Sequence, residues 1–392
     1  MNLHFMQDKP PKEEYHMTKF QKQMLTIAAA GALTAVTALP AMAFENEFHG
    51  LFNFYGSYSN MSATGSNTGS PATIASGATS SFLASDSKAD NYLEQRVRLQ
   101  YIAKASSDLK LVTHFEINNR YGKAGATTNA NGDVLCGNDI DTDGINIQTK
   151  HAYLDVNVVK DVNVKVGLQA YKDSIGGILV DADLPAVVAT TKLGNVNAVV
   201  GFSRYSDSAT LLGDQSGNFT FADFSYPVNK DTKIGASYYY QSDETGTTVT
   251  KKTINTFALN GSTKVAGVSV QGFVAGQDGK SEGGTIADYS GFAANIQADA
   301  AVAGGNAKIG YLYVSGDTKA GSDNSQFQTL GTAGSTFNQG GMMLMVRNNY
   351  FYPTSTSYAL KGNTVSNIEL LYAGYSKTIV TGKQVKIGRA HV

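Results

Sequence analysis

Hydrophobic and polar residues alternate along many short segments of the chain. In the segment 91–104, Val97 and Leu99 alternate with Arg96 and Arg98. Successive side chains of a β-strand point to opposite faces, so this spacing predicts a strand with one apolar and one polar face. No segment after residue 43 shows a helical repeat of comparable quality. The same alternation recurs in 109–120, 162–171, 231–241 and 288–300.

The connections between these segments alternate between short and long. Short polar turns, such as 160–161 and 228–231, alternate along the chain with long loops rich in Gly, Ser, Thr and Asn, such as 122–144 and 316–365. Barrels of bacterial outer membranes have short turns at one end and longer loops at the other. The pattern therefore predicts an all-β fold, a transmembrane antiparallel up-and-down β-barrel with an apolar outer and a polar inner face.

The alternating segments predict fourteen strands, and a fifteenth begins after Lys383. Because bacterial barrels have an even number of strands, we expect sixteen and infer that one or more C-terminal strands are missing from this chain. The predicted strands are 48–59, 91–104, 109–120, 145–158, 162–171, 185–191, 196–205, 219–227, 232–241, 253–263, 268–276, 288–300, 307–315 and 366–379. Aromatic girdles at the strand ends are expected from Phe48, Phe52, Tyr238, Tyr311, Tyr313 and Tyr372.

The N-terminal 43 residues are expected to lie outside the fold. Two lysines precede a short apolar run, and Ala-Met-Ala follows at 41–43. A positive segment, an apolar core and a small-x-small site define a secretory signal, whereas a membrane anchor needs a longer apolar run. We therefore predict a signal peptide at 17–43, cleaved on export through the inner membrane, and a spurious upstream extension at 1–16.

The C-terminal residues IGRAHV match what one frame of a common sequencing adapter encodes. We therefore expect 387–392 to be a sequencing artefact and the barrel domain to span 44–386. The alternative is a natural tail, and resequencing the 3′ end of the gene distinguishes the two.

Charge and composition exclude several classes of protein. The charged fraction is 16%, and 31 Lys+Arg against 32 Asp+Glu give a formal net charge of −1. A nucleic-acid-binding protein should show a basic surplus, so no such partner is expected. A single cysteine excludes a disulfide scaffold. No spacing matches a zinc-protease, hydrolase or nucleotide-binding motif, so we expect neither enzymatic activity nor a cofactor.

A candidate metal site lies in one of the predicted long loops. Asp139, Asp141 and Asp143 alternate and are followed by Gly144, as at the start of a calcium-binding loop. The twelfth position is Lys150, where that motif needs a bidentate Glu. We therefore favour ordinary acids of an external loop, and a divalent ion that bridges loops or lipopolysaccharide is the weaker alternative.

Four segments resemble the general trimeric porins of Gram-negative outer membranes: FHGLFNFYGSYS, EQRVRLQY, TKHAYLDVNV and VKVGLQAYKDSIGG. The resemblance covers most of 44–383, and it lies in the pattern of residues rather than in a fixed motif. It implies a homotrimer in contact with outer-membrane lipid and lipopolysaccharide, with a third loop at about 172–184 folded inwards to narrow the barrel. It also implies that acids of this loop face a basic ladder on the wall, which makes the channel-lining residues Asp173, Asp181 and Asp183 opposite Arg96, Arg98, Lys150 and Lys165.

These features predict an outer-membrane porin, a water-filled channel for passive diffusion of small hydrophilic solutes and ions. A barrel of about sixteen strands is too wide for side chains to fill, and water occupies the interior. One alternative is a channel selective for sugars or peptides, in which Tyr171, Tyr205 and Tyr239 supply an aromatic track. The other is a β-rich surface protein without a pore. The charged residues also have a plainer interpretation, as solvated wall residues and as loop acids facing the outside water.

Overall fold

The chain is all-β in the part that the structure describes. The computed structural model describes residues 45–59, 90–121, 127–128, 134–135, 147–210, 213–244, 251–283, 288–317, 323–330, 368–380 and 383–391. Its strands are β1 Glu45–Ser59, β2 Asp90–Lys104, β3 Leu109–Arg120, β4 Thr127–Thr128, β5 Val134–Leu135, β6 Gln148–Val159, β7 Val162–Lys172, β8 Asp181–Leu193, β9 Val196–Thr210, β10 Gly213–Pro227, β11 Thr232–Asp243, β12 Lys251–Val265, β13 Val268–Glu282, β14 Asp288–Tyr289, β15 Phe292–Val302, β16 Gly305–Val314, β17 Asp323–Asn324, β18 Ile368–Val380 and β19 Lys383–His391. None of the described residues forms a helix long and apolar enough to cross a membrane.

The long strands form one antiparallel up-and-down sheet. Each pairs with the long strand before it and the long strand after it in the chain, from β1–β2 through to β18–β19. The two-residue strands β14 and β17 join the same sheet, and β4 and β5 pair separately. This confirms the predicted all-β, up-and-down architecture. Among the described residues, β1 and β19 do not pair with each other.

Two of the tight turns show why the hairpins close as they do. Ala266 and Gly267 have φ of 49° and 83°, and Ala303 and Gly304 have φ of 50° and 74°. Two successive residues with positive φ are typical of a type I′ turn, whose twist matches that of the strands it joins. Glycine adopts this conformation without steric cost, and it occupies the second position in both turns.

The two faces of the sheet differ as the alternation predicts. In β12, Phe257 and Leu259 are 60% and 61% exposed, while Ile254, Thr256 and Ala258 between and before them are buried. Outward aromatic side chains from neighbouring strands pack in pairs, as Phe48 does with Tyr101 and Tyr238 with Phe257. The outer face is therefore a continuous apolar surface, built from every second residue.

The inner face is less uniformly polar than expected. A cluster of buried apolar side chains covers inward rows of β7, β8 and β10–β18, and the segments 173–180 and 323–330 pack onto it. Tyr372 belongs to this cluster, so its prediction as a girdle residue was wrong: it is 1% exposed, and its hydroxyl donates to Gln297 Oε1 at 3.1 Å. The cluster's inward members on the strands are Tyr171, Leu184, Ala186, Val188, Phe219, Phe221, Tyr239, Ala258, Phe273, Ala275, Ala293, Leu312, Val314, Leu370 and Tyr372.

Several strand boundaries differ from the sequence-based expectation, and one strand contains an irregularity. Strand β8 begins at Asp181 rather than at residue 185, so the connection after β7 comprises only 173–180. Strand β6 contains a register shift opposite the step from His114 to Phe115, which leaves Lys150 as the extra residue of a β-bulge. A bulge interrupts the alternation of side chains, so alternation along the sequence does not determine the direction of the Lys150 side chain.

Candidate functional site

Charged residues on β2 and β3 form a network on the inner face. The strand register pairs Arg98 with Glu116 and Arg96 with Asn118. Arg98 Nε donates to Glu116 Oε2, Arg96 Nη2 lies 3.5 Å from Glu116 Oε1, and Arg96 Nε donates to Asn118 Oδ1 at 2.7 Å. Arg96 is only 6% exposed, and Glu116 is also buried. Two guanidinium groups thus share one carboxylate, and the network carries an excess positive charge.

A second cluster joins β3, β6 and β8. Lys150 Nζ and His151 Nε2 lie 2.5 Å and 2.9 Å from the two carboxylate oxygens of Asp183. His151 Nδ1 in turn lies 3.2 Å from His114 Nδ1. The bulge at Lys150 places it and His151 side by side, so that both reach the same carboxylate. The sequence analysis singled out Lys150 and Asp183 but not the two histidines. His114 in THFE and His151 in TKHAY become neighbours only through the register of β3 and β6.

Asp173 holds the connection 173–180 in its conformation. Its carboxylate accepts four backbone N–H bonds, from Ile175, Gly177, Leu179 and Val180, at 2.7–3.0 Å. Burial raises the pKa of Asp173 to about 7, and the four N–H donors act in the opposite direction. Because the side chain is 3% exposed and fully engaged by backbone, it serves as the anchor of this loop and not as a charge that faces solvent.

The loop 173–180 packs against the inner face of strands distant in sequence. Ser174 N donates to Tyr239 Oη on β11 at 3.1 Å, and Asn260 Nδ2 on β12 donates to Ser174 Oγ at 3.1 Å. Beneath the loop, Tyr171 and Tyr239 donate to the two oxygens of Asp223 at 2.7 Å and 2.6 Å. The loop is thus bonded to strands that lie three and four positions beyond its own hairpin in the sheet.

A second segment, 323–330, lies beside this loop and was missed by the sequence analysis. Leu330 N donates to Leu179 O at 3.0 Å, which joins the two segments directly. Gln277 on β13 makes a two-way contact with Gln328: its Oε1 accepts from Gln328 N at 2.7 Å, and its Nε2 donates to Gln328 O at 2.8 Å. Phe327 is fully buried. The only sequence signal is the short alternation SQFQTL inside a long polar stretch.

The remaining predicted residues are dispersed. Lys165 lies over the ring of Tyr153, 5.6 Å from its centroid, away from the Arg96–Arg98 network. Asp181 pairs with Lys172, its cross-strand neighbour, at 3.1 Å. The prediction that Asp181 and Asp183 belong to the inward loop was wrong, because both lie in strand β8. Their role as channel-lining residues stays a prediction.

The metal candidates Asp139, Asp141 and Asp143 lie outside the described residues. Among the residues that the structure does describe, no group of three or more His, Cys, Asp or Glu side chains is arranged to hold a metal ion.

Comparison with known proteins gives similarity at the level of solved structures alone. No protein-family model matches the chain, and no curated protein matches it. Pseudomonas aeruginosa OccK8 (OprE) is 13% identical, with 85% of this chain and 79% of that chain covered and a TM-score of 0.46. An anion-selective porin from Comamonas acidovorans is 12% identical, with coverage of 86% and 85% and a TM-score of 0.47. Salmonella typhi OmpF, in a complex with daunomycin, is 9% identical, with coverage of 88% and 90% and a TM-score of 0.47. Values this low assign no function to this chain.

Proposed function

We propose that this protein is an outer-membrane porin that lets small hydrophilic solutes and ions diffuse through a water-filled lumen. The observation that carries the proposal is the division of one up-and-down sheet into two faces. Large apolar side chains are exposed on the outer face, where Phe257 and Leu259 are each about three-fifths exposed, and charged side chains such as Arg98 lie on the inner one. A soluble protein buries such apolar rows, whereas hydrocarbon solvates them.

We propose that the narrow part of this lumen lies between the loop 173–180 and the wall formed by β2 and β3. The loop and the segment 323–330 cover apolar rows of the inner face, and the Arg96–Arg98 network supplies the charged side chains of the wall in β2 and β3. A wall with excess positive charge favours anions. We further propose the homotrimer and the contacts with lipid and lipopolysaccharide that the resemblance implies.

The selective-channel alternative loses the feature that supported it. Tyr171 and Tyr239 are buried beneath the loop, with their hydroxyls bound to Asp223, so they offer no ring face to a passing sugar. Tyr205 alone of the three is partly exposed. A general diffusion pore therefore fits the inner face better than a sugar track.

Single-channel recording in a planar bilayer tests the proposal. We expect stepwise, ohmic openings, arriving in threes for a trimer, with a reversal potential under a salt gradient that reports anion preference. Protein that shows heat-modifiable gel mobility, the mark of a folded barrel, yet conducts nothing would contradict the pore and support the surface-protein alternative. Openings that saturate with one solute would instead support a selective channel.

A further inference from the structure

Two histidines face each other across neighbouring strands of the sheet. The register of β3 and β6 pairs His114 directly with His151. Their rings meet edge to face, with centroids 5.0 Å apart, and the two Nδ1 atoms are 3.2 Å apart. Both side chains are partly buried. Nothing in the proposed diffusion of solutes requires this pair.

Asp183 determines which nitrogen of His151 carries the proton. A carboxylate only accepts, so the 2.9 Å contact with Asp183 Oδ1 makes His151 Nε2 the donor. The lone pair of the neutral ring then lies on Nδ1 and points towards His114. A histidine whose far nitrogen donates to a carboxylate is the usual arrangement behind a metal-ligating imidazole, because the carboxylate orients the ring and makes the near nitrogen more basic.

The separation of the two Nδ1 atoms suits a shared metal ion. Zinc lies about 2.0–2.1 Å from each imidazole nitrogen, so two ligands at a tetrahedral angle are about 3.3–3.4 Å apart. The observed 3.2 Å matches this separation, and the two rings must turn so that both Nδ1 lone pairs converge on one point beside the line that joins them. We propose that His114 and His151 bind one divalent late transition-metal ion, with water in its remaining positions and Asp183 as the positioning residue behind His151.

The surrounding charges and protons are compatible with a cation at this position. The two nearest cationic side chains are each paired with a carboxylate, Arg98 with Glu116 and Lys150 with Asp183. Without metal, His114 Nδ1–H donates to His151 Nδ1; with metal, the proton of His114 moves to its Nε2 and both ligands stay neutral. Imidazole pairs bind Cu²⁺ more tightly than Ni²⁺ or Zn²⁺, so the same order is expected here.

Copper titration of the folded full-length chain in detergent micelles tests the site without relying on conduction. In electron paramagnetic resonance we expect one Cu²⁺ with hyperfine coupling to two nitrogens. His114→Ala and His151→Ala should each abolish the two-nitrogen signal and weaken binding. Asp183→Asn should keep the two-nitrogen signal and weaken binding about 10- to 100-fold, the usual cost of losing the partner behind a ligating histidine.

His49→Ala is the matched control, since this exposed histidine lies near Glu47 on β1 and its loss should leave the two-nitrogen signal unchanged. His114→Gln, which keeps a polar side chain, replaces the alanine variant if the latter does not fold. The double variant His114→Ala/His151→Ala gives the background from histidines elsewhere. Wild-type affinity and spectrum in the double variant would overturn the proposal, and so would unchanged affinity in Asp183→Asn. A chain that binds copper but forms no pore would support this metal site and contradict only the proposed channel.

Discussion

Glu116 lies between the guanidinium groups of Arg96 and Arg98 and also accepts from Asn118 Nδ2 at 2.7 Å. In the proposed channel, the charge of this wall is that of a network rather than of single residues. Asp183 is likewise shared, because it contacts Lys150 and His151 together. A substitution at either carboxylate changes the charge and the hydrogen bonding of several neighbours at once.

Glu116→Gln should shift ion selectivity towards anions, because both guanidinium groups lose their shared negative partner. The lost charged hydrogen bonds should also lower the free energy of unfolding by about 1.5–3 kcal/mol. Arg98→Gln should shift selectivity towards cations, and combining both substitutions should return it to the wild-type value. The reversal potential under a salt gradient measures each shift.

Lys172→Gln is the control for this series, since Lys172 is half exposed and pairs with Asp181 away from the network. It should leave the reversal potential unchanged. Unchanged reversal potentials in Glu116→Gln and Arg98→Gln would remove the network from the narrow part of the lumen.

The backbone conformation of the loop 173–180 depends on a single carboxylate, that of Asp173. Asp173 accepts four backbone N–H bonds, and Ile175, Ile178, Leu179 and Val180 are at most 2% exposed. Complete burial of a Leu, Ile or Val side chain stabilises a protein by about 1.5–3 kcal/mol. The apolar contacts hold the loop against the wall, and Asp173 determines its backbone path.

Asp173→Asn should loosen this loop. The amide retains one acceptor oxygen and turns an NH₂ group towards backbone donors, and each unsatisfied buried donor costs about 1–3 kcal/mol. We expect a lower free energy of unfolding in urea and new protease cleavage within 173–180. Asp181→Asn, which removes only a partly exposed ion pair, should cost about 0–1 kcal/mol and leave the cleavage pattern unchanged. Equal effects of the two substitutions would contradict the anchoring role.

The difference between the outer apolar face and the inner face of the sheet determines the solvent in which the protein is stable. Outward side chains such as Leu259 and Ile296 are 61% and 58% exposed. In lipid every backbone polar group must be hydrogen-bonded within the protein. The continuous antiparallel sheet provides such backbone partners for the strands between β1 and β19. Both properties point to hydrocarbon around the outer face.

Ile296→Arg should therefore destabilise the protein in lipid vesicles by about 2–4 kcal/mol, the cost of a cation on the lipid face near mid-depth. Gln271→Arg places the same side chain on the inner face, beside Lys233 and Asn260, and should cost much less. Urea unfolding in vesicles measures both. Equal costs would contradict a lipid-facing outer surface.

The existence of the long strands and their two alternating faces could be predicted from the sequence, because strand alternation is local and is visible in residues such as Val97 and Arg98. It also placed Arg96 and Arg98 on the polar face, where the structure has them. The contacts between residues distant in the chain could be seen only in the folded protein. Three features depend on strand register and on contacts between remote strands, which produce no periodic pattern in the sequence. They are the bulge that directs Lys150 and His151 to Asp183, the start of β8 at Asp181, and the packing of 323–330 on the loop 173–180.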